Sequence, residues 1–277
     1  MTIARLHSIT DVGDTHADLV ACTGSHGGLY AAWVAHHSPL RAAIFNDAGM
    51  GFEGAGTAGV HRLAEAGMAA AAVTHTSARI GDAHETAGGT IGTVNALAER
   101  LGVRPGQNAA EAARLLATAQ RGTGDFEGVS EGTGEWRTAK GLVVTLLDSA
   151  SLVGPGHVGG IVVTGSHGGL VGGDASRAIK APVRLAVFND AGVGKDEAGV
   201  ERIRVLGARG VAAAAVSHDT APIGLAAPML DGTLSLANAP AEAMGLSAGE
   251  RLRDALEELD QIAPRDFSSA CRSVSGV

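Results

Sequence analysis

A heptapeptide occurs twice in this chain: TGSHGGL stands at 23–29 and again at 164–170. FNDAG at 45–49 returns at 188–192, and GMAAAAVTH at 67–75 returns as GVAAAAVSH at 210–218. The offset is 141 residues at the first block and 143 at the later ones. Ser8 and Ser149, and His16 and His157, keep the first offset; Ile80-Gly81 and Ile223-Gly224, and Asn95-Ala96 and Asn238-Ala239, keep the second. Blocks repeated in the same order at nearly constant spacing mean that one unit has been duplicated. Any fold for this chain must therefore be buildable twice.

Each copy alternates short apolar runs with helical patterns. The pairs 20–23 and 161–164, 42–45 and 185–188, and 69–73 and 211–216 read as three buried strands per half, since short apolar runs bounded by glycine and polar residues suit strands covered on both faces. Helical patterns at 57–66 and 200–209 end at Gly67 and Gly210, which suit helix C-termini. Ser247 and Glu250 have capping-box spacing, and Leu252, Leu256, Leu259 and Ala263 then share one helical face; 108–120 is the matching helix of the first half. Strands alternating with helices predict crossover connections, and so an α/β chain of two homologous, duplicated Rossmann-like halves with mostly parallel sheets. The first half is 1–120 and the second 142–263, opened by the strand-like LVVTLL at 142–147. Between them 121–141, rich in Gly and charge, reads as a linker loop, and the Ser-rich 264–277 as a flexible tail.

Composition narrows the partners. Hydrophobic residues are 45 % and charged ones 18 %, which excludes a disordered chain. The 41 glycines follow no three-residue period, which excludes collagen. A net charge of −8 without a basic stretch leaves no footprint for nucleic acid. No apolar run reaches the roughly 18 residues of a membrane span. The start, MTIARLHSITDV, lacks a signal-peptide pattern, and Cys22 and Cys271 cannot form a disulfide framework or a four-Cys zinc site. The expectation is a cytoplasmic protein with a small-molecule substrate and no nucleic-acid or membrane partner; it could form a homo-oligomer.

The repeated polar residues fall at strand carboxyl ends, where parallel sheets bind ligands. They are Ser25-His26-Gly27-Gly28, Asn46-Asp47 and Thr74-His75 in the first half, and Ser166-His167, Asn189-Asp190 and Ser217-His218 in the second. Three chemistries fit them. His26, Asp47 and His75 supply two imidazoles and a carboxylate for a divalent metal such as Zn, Mn or Fe, while Asp47 as a plain helix cap is the bland alternative. Alternatively Ser25 attacks an acyl group, with His75 as base, Asp47 as its orienter and the Gly27 and Gly28 N–H groups facing an oxyanion; His26 or His75 acting only as acid and base is a variant. TGSHG misses the GxSxG elbow because Thr23 replaces the first Gly. A nucleotide reading rests on Gly49, Gly51 and Gly54 after a strand, but the second copy loses the last Gly and no acid ends the next strand.

The copies then diverge. Arg79, Asp82 and Glu85 are matched by Pro222, Leu225 and Pro228. Arg79 thus reads either as a clamp for a substrate carboxylate or phosphate, or as half of a surface ion pair with Asp82. Together these residues lead to an enzyme, expected to be a hydrolase of a small polar or anionic amide, ester or cyclic amide. Ser25, His26, Asp47, His75 and Arg79 would be catalytic, and Gly27, Gly28, Asn46, Ser166, His167, Asn189, Asp190 and His218 would line the cleft. The alternatives are a metal-dependent lyase or isomerase on a small carboxylate, and a non-catalytic ligand- or nucleotide-binding protein.

Overall fold

The structure, a computed structural model, describes residues 2–259. The first half builds a sheet from β1 (Ile3–Leu6), β2 (Val20–His26), β3 (Ala42–Asn46), β4 (Ala69–Val73) and β5 (Ile91–Val94), hydrogen-bonded in that order. The second uses β6 (Thr133–Arg137), β7 (Val143–Leu147), β8 (Ile161–His167), β9 (Leu185–Asn189), β10 (Ala212–Val216) and β11 (Leu234–Ala237), also in sequence order across the sheet. Within each sheet the central pairings are parallel; β5, β6 and β11 are antiparallel edges. Two α/β halves with mostly parallel sheets are what the repeat predicts.

Helices cover both faces. In the first half α1 (Leu29–His36) and α2 (Ala58–Glu65) pack on one side, with Ala32, Ala35, Val60 and Leu63 against Ala43 and Phe45. On the other side lie α3 (Ala83–Gly88), α4 (Ala96–Arg100) and α5 (Ala109–Leu116), whose Ala87, Ala98, Ala112 and Leu116 meet Ile44 and Val73. The second half has α6 (Glu201–Ala208) on one face and α7 (Ala239–Glu242) and α8 (Leu252–Leu259) on the other. β3, β4, β9 and β10 are buried at every residue. That is why they read as unbroken apolar runs, and why the alanines of β4 and β10, poor strand formers, are tolerated: small side chains let helices settle close on both faces.

Some expectations shift. The 121–141 segment is more than a loop: it contributes β6, and its Phe126 is buried in the first half's core beside Leu63 and Met68. An edge strand that is mostly solvated, TGEWR, carries too little apolar signal to announce itself. Ser247 and Glu250 do bond side chain to backbone, but α8 starts only at Leu252. Gly249 at φ +91° and the 249–251 backbone, tied to Leu234 and Thr233, intervene. Ala263 and the 264–277 tail lie outside the described residues.

Neither sheet reverses its strand order, so neither half has an internal crevice of the kind where doubly wound folds bind ligands. The duplication supplies one instead, by setting the strand ends of the two halves against each other.

Candidate active site at the junction of the halves

Ser25 and His26 belong to β2 rather than to a following loop. Pairing with β3 runs Cys22 to Ile44 and resumes at His26 to Asn46, so β2 carries extra residues there; β8 repeats the irregularity between Val163 and His167. A bulge bends the strand and re-aims its side chains. There Gly24 packs on the loop after β4, where a Cβ would fall 2.3 Å from the Gly81 carbonyl carbon. Both Ser–His pairs are thereby delivered to a cleft of about 860 Å³ between the halves, within the usual ~300–1,000 Å³ of ligand pockets. Ser25 Oγ accepts the Ile9 N–H at 3.0 Å, and Ser166 Oγ the Ala150 N–H at 2.9 Å.

His26 Nδ1 accepts the Gly28 N–H and His167 Nδ1 the Gly169 N–H, each at 3.1 Å. An accepting Nδ1 leaves the ring proton on Nε2, so both imidazoles are N–H donors when neutral. Neutral is what their surroundings favour. Burial lowers His26 to about 4. Burial, then the Arg202 cation and His26 hold His167 well below its ordinary value.

On one side of the junction Phe52, Ala58, Pro222 and Leu225 line the cleft, and a Cβ on Gly224 would meet just His26 Cε1, at 3.5 Å. On the equivalent side Arg79 pairs with Glu201 at 3.0 Å and Lys195 with Glu85 at 2.9 Å, each across the halves. Leu170 and Gly172 press onto Gly81: Gly172 N–H donates to Gly81 O, and a Cβ on Gly81 would lie 2.1 Å from Leu170 O. Arg79, read from sequence as a substrate clamp, is thus held by Glu201, and Asp82 caps α3 by accepting from His84 and Glu85 N–H.

Asp47 and His75 do meet. Asp47 Oδ1 accepts His75 Nδ1–H at 2.9 Å, His75 N–H at 2.7 Å and Gly49 N–H at 3.0 Å. Asp190 repeats this with His218 and Gly192. The two dyads clasp the halves together rather than line the cleft: Phe52 N–H donates to His218 O and Lys195 N–H to His75 O. Between them the loops run through residues at positive φ, Ala48, Gly49, Met50 and Gly51 facing Ala191, Gly192, Val193 and Gly194. Reciprocal contacts of this kind are the mark of a two-fold relation. The Asp190 hydrogen bond, opposed by burial and aided by the Asp190 charge, raises His218 above its ordinary value.

Ser25, His26, Ser166 and His167 are therefore brought together, Asp47–His75 and Asp190–His218 form separate pairs, and Ser25 shares no hydrogen bond with His75. Among the described residues no group of three His, Cys, Asp or Glu side chains is placed to hold one metal ion. Asn46 and Asn189 are fully buried; each amide oxygen accepts from the loop after its own strand, Ala48 or Ala191 N–H, and each amide nitrogen donates to the loop after the neighbouring strand, Ala78 or Ala221 O. The Gly27 and Gly28 N–H groups are spent on Asn46 O and His26 Nδ1. No family model, curated protein or solved structure matches this chain.

Sequence reasoning misses Arg202, Arg177 and Lys180 on the second-half wall, and Tyr30 and Glu131 opposite. Burial and the Glu131 carboxylate together raise the Tyr30 phenol. A signal for the first group was present. Where the first copy continues after Gly28-Leu29 with Tyr-Ala-Ala-Trp, the second reads Val-Gly-Gly-Asp after Gly169-Leu170, a composition that cannot continue a helix.

Proposed function

We propose that the junction cleft is the active site of a hydrolase acting on a small polar or anionic amide, ester or cyclic amide. The observation that carries this reading is the bulged Ser25-His26 pair in the cleft, with a neutral imidazole N–H fixed by the Gly28 backbone. A neutral donor strengthens its bond to a carbonyl oxygen as negative charge develops, without changing its own protonation. In this scheme His26 Nε2–H polarises the carbonyl. Ser25, whose oxygen already takes the Ile9 N–H, turns its own proton toward the substrate. Glu53, an exposed carboxylate that also lines the cleft, would take the proton of the attacking water. The water oxygen bonds the carbonyl carbon, the carbon–nitrogen or carbon–oxygen bond breaks, and the proton passes to the departing atom.

The test is turnover of a panel of small amides, esters and cyclic amides by the full chain in ¹⁸O-labelled water. The expected result is one labelled oxygen in the product acid, and a loss of roughly 10²-fold or more in kcat for His26→Asn, the usual effect of removing such a donor. Product formed without label would point instead to a lyase or isomerase, and turnover indifferent to His26→Asn would overturn the site.

A further inference from the structure

The halves part company at Arg202. Under the 143-residue offset its counterpart is Gly59. Gly59 lies tight beneath α1, where a Cβ would fall 2.4 Å from Gly28 O and 2.5 Å from Ala32 Cβ. The second half has no such helix: Gly172 and Gly173, at φ +67° and +66°, lie in a 3₁₀ turn over Val171–Gly173, and a second short 3₁₀ turn, Ala175–Arg177, follows. The backbone contact persists, Gly59 N–H to Gly27 O in one half and Arg202 N–H to Gly168 O in the other. The space above it now holds an arginine side chain.

That arginine is 4 % exposed and borders the cleft. Nη2 donates to Gly169 O at 3.0 Å, the guanidinium carbon sits 4.9 Å from the centre of the Phe188 ring, and Nε is buried without a partner. Among the described residues no carboxylate pairs with it, and Nη1 has no protein acceptor. Its neighbouring charge is another cation: burial and then Arg177 lower it to about 10. Arg177 itself reaches a carboxylate only at 4.0 Å, that of Asp11, and the Lys180 ammonium rests on Ser151 O. A buried cation without a counter-charge is destabilising. Three cations on one wall of a cleft, the innermost unpaired, are the arrangement a bound anion completes.

We infer that the second-half wall of the cleft binds the carboxylate or phosphate group of the substrate, with Arg202 as principal ligand and Arg177 and Lys180 flanking it. This rests on the cleft being the substrate site but is independent of the reaction run there. Planar guanidinium donors suit either oxyanion.

Binding can be read without turnover, by calorimetry and thermal melts with inorganic phosphate and with malonate, at ionic strength held constant with sodium chloride. The wild-type chain is expected to bind one of the two and to melt higher with it; which binds tighter names the class. Arg202→Lys keeps the charge but loses the planar fork, and should bind about tenfold more weakly. Arg202→Met should melt higher than wild type without anion and gain nothing from it. A wild type that responds to neither anion overturns the inference, as does an Arg202→Met chain that melts lower yet still binds, which would mark a purely structural arginine. Should Arg202→Met fail to fold, Arg202→Lys and Lys180→Met carry the same test, and undiminished binding by both overturns the inference. Anion binding without hydrolysis would leave this site standing and remove the hydrolase; hydrolysis of uncharged substrates alone would do the reverse.

Discussion

The two sides of the junction are equivalent under the 143-residue offset, and their residues differ in kind. On one side, sealed by ion pairs, Arg79 reaches Glu201 and Lys195 reaches Glu85. On the cleft side the corresponding residues are Pro222 with Ala58, and Phe52 with Pro228. Both ion pairs vanish together, and Phe52, left without a partner, stays 40 % exposed on the cleft wall. Duplication within one chain permits this. A symmetric pair of identical subunits would have to open or close both mouths at once. The result is a one-sided cleft with Ser–His pairs from both halves on its floor and a cationic wall in the second half only.

At the clasp the halves remain equivalent. Gly49 at φ +76° and Gly192 at φ +75° pack on the histidine of the opposite half, and a Cβ would come within 2.7 Å of His218 Cδ2 or 2.9 Å of His75 Cδ2. Gly49→Ala and Gly192→Ala should each lose about 2–5 kcal/mol, combining positive-φ strain with overpacking. Gly54→Ala, at φ +70° with nothing within 4 Å, should lose only the strain, about 1–2 kcal/mol. Denaturant melts check all three; clearly unequal losses at 49 and 192 would show that the clasp, too, has become one-sided. Next comes the cleft floor. His26→Asn should lower kcat roughly 10²–10³-fold. His167→Asn, at a more buried histidine beside the Arg202 cation, should lower it less than His26→Asn does. Equal losses would make the two halves equal partners in the chemistry.

Much of this was legible in the sequence. Repetition and buried apolar runs announce two α/β halves, and β4 matches its expected span residue for residue. The Asp47–His75 and Asp190–His218 pairings follow from placing Asp and His at the ends of adjacent parallel strands. What stayed hidden depends on contacts between distant segments. A bulge that draws Ser25 and His26 into β2 changes no residue type. Gly27 and Gly28 suggested free N–H groups, but whether an N–H is free depends on what lies opposite, here Asn46 O and His26 Nδ1. Arg79 had the chemistry of a clamp, and no local pattern says that Glu201, 122 positions away, will hold it.

Acid should separate the floor from the clasp. His26 titrates near 4 in the fold against an ordinary 6.5. Between those values the unfolded chain takes up a proton that the folded chain refuses, so stability falls as pH drops from about 7 toward 4, by on the order of 2 kcal/mol at pH 5 from this residue. His167, also lowered, acts in the same direction. His218 is raised, so its stabilising contribution is full below about 6.5 and fades as pH climbs through its folded value. Melting temperature should therefore drop on acidification from pH 7.5 to 5, and drop less in His26→Asn. An undiminished drop in that variant would mean that His26 is already protonated in the fold.

The smallest effect tests the seal itself. Glu85 accepts both Lys195 Nζ–H and the Arg79 N–H, so Glu85→Ala removes one cross-half ion pair and loosens the loop carrying the other. Lys195 and Glu85 are 40 % and 27 % exposed, and partly exposed pairs contribute only about 0.2–1 kcal/mol. The expected loss is therefore about 1 kcal/mol, or a melting temperature lower by roughly 2–4 °C in a chain of this size. Turnover should change less than twofold if this mouth is closed for good. A gain in turnover, or a new dependence on Arg79, would mean that the seal is a gate and that the second mouth still admits substrate.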